Sequence, residues 1–224
     1  MTRLYFFDLR EYKVNKKGIL REIGGCPFAF FEEKARAESG ERRLLTLCEG
    51  QLLFSAAREI FGEENPPKNI KKCEFGKLKF TNYGSFVDFS FSHSGDILAL
   101  LISDECEVGV DIEIKKDEVH EGAQKRFLKD FTPNLVELKN IKLNFVSSLS
   151  FEKKDINEVE NIKRCDPCEF LARWTALEAT VKMSGDGLSA AKRVGEIAKK
   201  AELSSFSLSL FGEEYIVSIA KRKG

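Results

Sequence analysis

The sequence has few of the residues that usually build metal and thiol sites, with only two histidines and one close cysteine pair. That pair is Cys165 and Cys168, and a structural zinc site needs four ligands, so the pair alone does not provide one. We interpret it as two thiols at the start of a helix, with Asp166 and Pro167 at the N-cap and in the first turn.

The chain has no surplus of charge of either sign. Lys plus Arg number 36 and Asp plus Glu number 36, so the formal net charge is zero. A general binder of nucleic acid is expected to carry a basic surplus, and this balance argues against such a partner.

A long apolar run is missing from the start of the chain. The first ten residues, MTRLYFFDLR, contain a run of four apolar residues before Asp8. Such a run is too short for a signal peptide or a membrane span. We therefore expect a cytoplasmic protein without membrane contact, in which the cysteines are reduced.

The pattern of strands and helices predicts an α+β fold. Of the 224 residues 42% are hydrophobic, which is enough for one large domain or two smaller ones. LYFFDL, FVDFSFSHS, DILALLIS and EVGVDIEI read as strands, and the last two, separated by DEC, predict a tight hairpin. FSLSLFGEEYIVSIA predicts another hairpin, and 132–164 a loop-rich insert with one or two short elements. The order of these elements suggests two similar halves that meet near residue 106.

One segment, PCEFLARWTALEATVKMSG, predicts the strongest helix in the chain. Its apolar residues recur at helical spacing and form one stripe. They are Phe170, Trp174, Leu177 and Val181. A glycine that follows, Gly185, is expected to end the helix.

Three carboxylates are the candidate metal ligands. Asp111 and Glu113 are two positions apart on a predicted strand and therefore point to the same face. Glu178 lies four residues before Lys182 on the strong helix, so both share one face. Carboxylates without a histidine or thiol cluster suit Mg²⁺, which takes oxygen ligands together with substrate phosphates. Spacing alone favours the simpler alternative, a charged strand end and an ordinary Glu–Lys helix pair.

Candidate phosphate-binding groups precede these acids. His93 lies between Ser92 and Ser94 at the end of a predicted strand, where hydroxyls and a backbone N–H are available to a phosphate. Lys77 and the arginines near Arg43 add positive charge. Taken alone, the arginines are better explained as a solvated helix face.

Three motifs in this order resemble the 4′-phosphopantetheinyl transferases of the larger, two-lobed, surfactin-synthetase-activating type. They are FSFSHSGD, VGVDIE and FLARWTALEATVKMSGDGL. The middle motif is weak alone, whereas the ordered set is specific. The resemblance covers about residues 44–188.

The resemblance implies a fold of two α+β lobes related by a pseudo-twofold axis, each with a long helix on a small, mostly antiparallel sheet. Residues 1–105 would form the coenzyme A-binding lobe and residues 106–224 the lobe with the metal and catalytic motifs. It also implies a monomer that uses Mg²⁺ to transfer 4′-phosphopantetheine from coenzyme A to a serine of an acyl or peptidyl carrier protein.

The family's functional residues carry over by position. The metal ligands correspond to Asp111, Glu113 and Glu178. The coenzyme-binding residues correspond to Arg43, Lys77, Ser92, His93 and Lys182. The catalytic residues correspond to Asp111, Glu178 and Lys182.

The chain departs from the family pattern at four places. Leu177 replaces a lysine before Glu178, Ser90 replaces an asparagine, and Leu78 replaces a proline. After Arg126-Phe127-Leu128, where the family often has a glutamate, the chain has Asp130 and Thr132. Because Leu177 stands where the family has a lysine, one cation is expected to be missing from the site.

Two other functions remain open at this point. Asp96 with Glu113-Ile114-Lys115 resembles the D…E-x-K metal site of restriction-type nucleases. That reading leaves His93, Glu178 and Lys182 unexplained. The third possibility is a non-catalytic relative that binds coenzyme A or a carrier protein, an interpretation that rests on Leu177.

Overall fold

A computed structural model describes most of the chain. The described residues are 1–10, 26–62, 67, 69–81, 86–115, 128, 131–137, 139, 141–146, 153–155, 162–167, 169–187 and 193–224. The segment VHEGAQKRFL at 119–128, whose sequence predicts a helix, falls outside this part of the chain, apart from Leu128.

The described residues form eleven strands and four helices, which confirms the α+β class. In chain order they are β1 (Thr2–Asp8), α1 (Ala29–Arg36), α2 (Gly40–Phe61), β2 (Asn69–Lys72), β3 (Leu78–Thr81), β4 (Asp88–Ser94), β5 (Ile97–Ser103), β6 (Val108–Ile114), β7 (Ile141–Val146), β8 (Lys153–Asp155), β9 (Lys163–Arg164), α3 (Phe170–Ser184), α4 (Val194–Lys199), β10 (Ala201–Leu210) and β11 (Glu213–Arg222).

The strands form two main sheets and a small hairpin. The first sheet has the order β4-β5-β1-β7-β8, the second has the order β6-β11-β10-β9, and β2 pairs with β3. All pairs are antiparallel except β1 with β7. The predicted hairpin of β10 and β11 is confirmed.

The two sheets pack face to face between helices. Alternate residues of β1 point to opposite sides, as a strand requires. Tyr5 and Phe7 join a core with α1 and α2, whereas Leu4 and Phe6 join a core with the second sheet. On the far side of the second sheet, α3 packs through Trp174 and its apolar stripe, as predicted. The layers are therefore helix, sheet, sheet and helix.

The predicted hairpin of β5 and β6 is wrong. β5 pairs with β4 and β1, whereas β6 pairs with β11, so the two strands lie in different sheets. All seven residues of β5 are buried, because this strand has an apolar core on both faces. The short connection between the strands is thus a crossing from one sheet to the other.

Polar side chains of β4 cover the edge of β6 that does not pair with β11. We call this set of contacts the seam. Each acceptor lies 20 residues before its donor, and the pairs are Asp88 with the Val108 N–H at 2.8 Å, Ser90 with the Val110 N–H at 3.2 Å and Ser94 with the Ile114 N–H at 3.0 Å. The alternate residues Phe89 and Phe91 pack on the helical side of the first sheet. The alternation of phenylalanine and serine therefore places apolar side chains in this core and polar side chains at the seam.

The segment 132–164 contributes more structure than predicted. Its described parts include β7, β8 and β9, of which β7 and β8 extend the first sheet through β1. This segment follows residue 106, so strands of the later half complete the sheet of the earlier half. The division at 105/106 stays a prediction.

The start of helix α3 differs from the prediction. α3 begins at Phe170 with Glu169 as N-cap, so the prediction that Asp166 caps the helix is wrong. Asp166 instead accepts the Glu169 N–H through its backbone carbonyl in a preceding turn.

Among the described residues, no helix is both long and apolar enough to cross a membrane.

Candidate functional site

Strand β6 presents its acids on one face and its apolar residues on the other. Val110 and Ile112 are buried in the core between the sheets, as predicted. Asp111 and Glu113 point to the opposite face, where the Ser92 hydroxyl donates to Asp111 at 2.7 Å and the Ser94 hydroxyl donates to Glu113 at 3.0 Å. Ser94 of the seam and the nearby Ser92 thus orient the two acids.

Helix α3 approaches the acidic face of β6 very closely at Gly109. A Cβ atom at this position would lie 2.0 Å from the carbonyl oxygen of Ala179 and 2.5 Å from the nitrogen of Met183. Any side chain here would collide with the helix backbone. Because only glycine allows this contact, Gly109 sets the distance between the acids of β6 and the side chains of α3.

Lys182 of α3 reaches the first of these acids. Its Nζ lies 2.6 Å from Asp111 Oδ1 and 3.0 Å from Ser92 Oγ. Asp111 is only 2% exposed, so its charge is held away from water and compensated by this ammonium group. Residues from all three sequence motifs therefore meet at one point.

Glu178 lies one helical turn before Lys182, with its Oε2 4.0 Å from Nζ. Burial, and secondly the nearby charge of Asp111, raise the pKa of Glu178 to about 7, and Glu113 adds a smaller repulsion. The three predicted metal ligands therefore influence one another electrostatically. Such mutual repulsion is what a bound cation would relieve.

The donor chemistry at this point suits a divalent cation. Asp111 Oδ2 is buried and has no hydrogen-bond partner among the described residues, which is costly for a charged oxygen unless a cation satisfies it. In this arrangement, however, the described part of the chain contains no group of three His, Cys, Asp or Glu residues that could hold a metal. Lys182 occupies the compensating position beside Asp111. The residues fit Mg²⁺ in charge and ligand type, and the ligand set itself stays a prediction.

The raised pKa of Glu178 predicts how stability depends on pH. The folded protein binds this proton more tightly than the unfolded chain, so the free energy of unfolding falls as pH rises from 4.5 towards about 7. The loss is at most about 3 kcal/mol. Urea denaturation at several pH values in the presence of EDTA measures it.

Two variants test this assignment. Glu178→Gln should remove most of this pH dependence. Glu107→Gln is the matched control, because Glu107 pairs with Arg222 at 2.6 Å and not with the acids of the site. An unchanged slope in Glu178→Gln would contradict the assignment.

Lys77 has a different environment from the one predicted. Its ammonium group is buried and donates to Asp88 Oδ2 at 2.5 Å, to the Met183 carbonyl at 2.9 Å and to the Val108 carbonyl at 3.1 Å. A lysine has three N–H donors, so all of them are used within the protein. Its role in coenzyme binding stays a prediction from the resemblance.

Two other predicted coenzyme ligands, His93 and Arg43, lie apart from the acids. His93 is exposed and lies on the face of β4 opposite to Ser92, together with Phe89 and Phe91. Arg43 is exposed in the first turn of α2, and no hydrogen bond or ion pair between described residues joins it to the acids. Their role in coenzyme binding stays a prediction.

Leu177 does not remove a cation from the site. The side chain is fully buried in the core that α3 shares with β10, alongside Phe131 and Leu203. It points away from Glu178 and Lys182. The expectation that the site lacks a cation here is therefore not supported, and the interpretation as a non-catalytic relative loses its basis.

Two residues with a role near the site were not recognised in the sequence. Asp88 pairs with Lys77, and Gly109 sets the approach of α3. The alternation in DFSFSHS indicates that Asp88 shares a face with the three serines, which is the signal that could have found it. Asp130, near the expected position of a glutamate, lies outside the described residues.

A cavity of about 570 Å³ opens beside Glu178 and Lys182. This volume is in the usual range for small-molecule sites. Aromatic side chains, three further lysines and one acid line it, namely Phe30, Phe75, Phe89, Phe91, Lys34, Lys72, Lys77 and Glu49, of which Lys34 pairs with Glu49 at 3.3 Å. The acids and Lys182 therefore border a space with apolar walls and positively charged groups.

Comparison with known proteins supports the resemblance in the motifs. Over 80 residues, the chain is 42% identical to the 4′-phosphopantetheinyl transferase AcpT of Salmonella typhi and equally to that of Salmonella typhimurium. The match covers 36% of this chain and 38% of each relative. No protein-family model matches the chain. The ordered motifs and this partial similarity together support a relationship of the chain to the 4′-phosphopantetheinyl transferase superfamily.

Proposed function

We propose that the protein transfers 4′-phosphopantetheine from coenzyme A to a serine of an acyl or peptidyl carrier protein, with Mg²⁺ as cofactor. The observation that carries this proposal is the meeting of Ser92, Asp111 and Lys182, from three separate motifs, within 3.0 Å of one another. The named activity of the AcpT relatives supports it.

The reaction has one demanding step. The serine oxygen of the carrier attacks phosphorus in the coenzyme pyrophosphate, and its proton passes to a carboxylate of the site or to water as general base. The pyrophosphate P–O bond breaks, and adenosine 3′,5′-bisphosphate leaves. When bound by Asp111, Glu113 and Glu178, Mg²⁺ would supply positive charge that offsets the charge of the pyrophosphate. Lys182 would bind a pyrophosphate oxygen and stabilise the charge that builds on the leaving group.

The cavity offers a place for the rest of the coenzyme. We assign its aromatic walls to the pantetheine arm, while Lys34 and Lys72 add charge that suits phosphate groups. Ser92, His93 and Arg43 are retained as candidate coenzyme ligands from the resemblance.

We also propose the two-lobed architecture of the larger class. The helix–sheet–sheet–helix layers support it, since α2 packs on the first sheet and α3 packs on the second. In a single chain of this design both halves of the site are present, so the proposal includes a monomer.

Among the described residues, the contacts of the lysine in the nuclease motif do not favour the nuclease alternative. Its lysine, Lys115, is exposed and pairs with Glu169 at 3.4 Å and with Glu214 at 3.6 Å. These contacts hold it at the far end of β6, with acids other than those of the proposed nuclease motif.

The proposal is tested by incubating the protein with Mg²⁺, coenzyme A and apo carrier proteins, followed by intact mass measurement. The expected result is a mass increase of one phosphopantetheine group on the carrier and none in EDTA. Carriers from fatty-acid, polyketide and peptide synthesis should all be included. No increase on any of them would contradict the proposal.

A further inference from the structure

We propose that Lys77 and Asp88 form a positioning pair that fixes the end of α3 against β6, and that Lys77 does not bind the coenzyme. This inference rests on the proposed function, because it assigns a role within the same site. It starts from the three acceptors of Lys77, which belong to β4, β6 and α3.

Both members of the pair bind the backbone of the same residue of β6, Val108. Asp88 Oδ2 accepts the Val108 N–H at 2.8 Å and also the Lys77 ammonium at 2.5 Å. Lys77 donates in turn to the Val108 carbonyl at 3.1 Å. The start of β6 is therefore bound through both its donor and its acceptor, three residues before Asp111.

The third acceptor of Lys77 belongs to the last turn of α3. The Met183 carbonyl receives its hydrogen bond at 2.9 Å, and Met183 directly follows Lys182. A positively charged group also interacts favourably with a helix C-terminus. Lys77 thus connects the residue beside Lys182 with the strand that carries Asp111.

The turn after α3 is shaped to receive this lysine. Gly185 ends the helix with a positive φ of 75°, and a Cβ atom there would lie 3.1 Å from the Lys77 side chain. The side chain of Lys77 therefore lies against the helix end along its length. This is the environment of a buried structural cation, with 7% of the side chain exposed.

Loss of either partner should displace the groups of the site. Without Lys77, Asp88 would be a buried charge without compensation, and two carbonyl groups would lose a donor. A displacement of about 1 Å between α3 and β6 is enough to reduce a rate about 100-fold. Both Lys77→Met and Asp88→Asn should therefore lower kcat about 100-fold with a much smaller change in KM for coenzyme A.

Three variants and one control test the pair by steady-state transfer kinetics. The double variant Lys77→Met/Asp88→Asn should be no slower than the slower single variant, because both changes break the same contact. Lys79→Met is the matched control, since it removes another lysine of the same hairpin and should leave kcat unchanged. A rise in KM for coenzyme A with unchanged kcat in Lys77→Met, together with normal Asp88→Asn, would overturn the proposal and make Lys77 a coenzyme ligand.

A second readout needs no activity. Hydrogen–deuterium exchange of the ligand-free protein should be faster at the start of β6 and the end of α3 in Lys77→Met and in Asp88→Asn, but not in Lys79→Met. Unchanged exchange in both would refute the positioning role, even if the wild-type protein transferred nothing. Asp88→Asn keeps the size of the side chain and one accepting oxygen, so it carries both measurements if Lys77→Met does not fold.

Discussion

Replacing Asp111 by asparagine is expected to reduce phosphopantetheine transfer by at least about 100-fold. The asparagine keeps the shape and an accepting oxygen for Ser92 and Lys182, which lie at 2.7 and 2.6 Å from the carboxylate. It removes the charge and the buried oxygen that has no partner among the described residues. The loss should therefore come from cation binding and charge, not from misfolding. Transfer rates and calorimetric titration with Mg²⁺ in the presence of adenosine 3′,5′-bisphosphate measure both effects.

Glu107→Gln is the matched control for this variant. It removes a carboxylate at the start of the same strand, where Glu107 pairs with Arg222, and should leave transfer unchanged. Both variants should unfold in one cooperative thermal transition. Near-normal transfer by Asp111→Asn would mean that Asp111 does not act in the reaction.

Replacing Gly109 by alanine is expected to cause the largest loss of stability of any glycine-to-alanine change among the described glycines. The new Cβ would lie 2.0 Å from one backbone atom of α3 and 2.5 Å from another. Neither atom can rotate away as a side chain could, so the helix must shift. Overpacking of this kind costs about 3 kcal/mol or more, which corresponds to a fall in Tm of roughly 6–12 °C.

Gly195→Ala provides the control for Gly109→Ala. Gly195 lies in α4. Apart from its chain neighbours and the backbone of its own helix, no atom would lie within 4 Å of an added Cβ, so alanine should be neutral or slightly stabilising there. Thermal unfolding followed by circular dichroism compares the two. Equal melting temperatures for both variants would show that α3 and β6 do not approach as described.

Local patterns predicted the parts of the fold that depend on residues close to one another in the sequence. The alternation in β6 predicted which side chains face the core, and the stripe on α3 predicted its packing face, because both follow from the periods of strand and helix. The two-residue connection of β10 and β11 is also local. The grouping of Asp111 with Lys182 came from the resemblance, since spacing alone favoured an ordinary strand end.

Pairings between distant segments could not be predicted in this way. β6 pairs with β11, about a hundred residues later, and a short link after β5 gave a false hairpin signal. β7 and β8 come from a polar segment, and they join the sheet because β7 pairs with the distant strand β1. Lys77 looked like a free cation for a phosphate because its three acceptors lie on three other elements. Leu177 looked like a loss from the site in the comparison of motifs, although the apolar stripe on α3 had already placed its side chain on the core face.

The seam between β4 and β6 has a further consequence for the behaviour of the chain in solution. An open strand edge is a template on which other chains can add, and proteins usually protect such edges. Here Asp88, Ser90 and Ser94 occupy N–H groups of β6 that another strand would otherwise use. The same short stretch that orients the acids thus also guards against intermolecular strand addition, so apolar substitutions at Ser90 or Ser94 would promote aggregation as well as disturb the site.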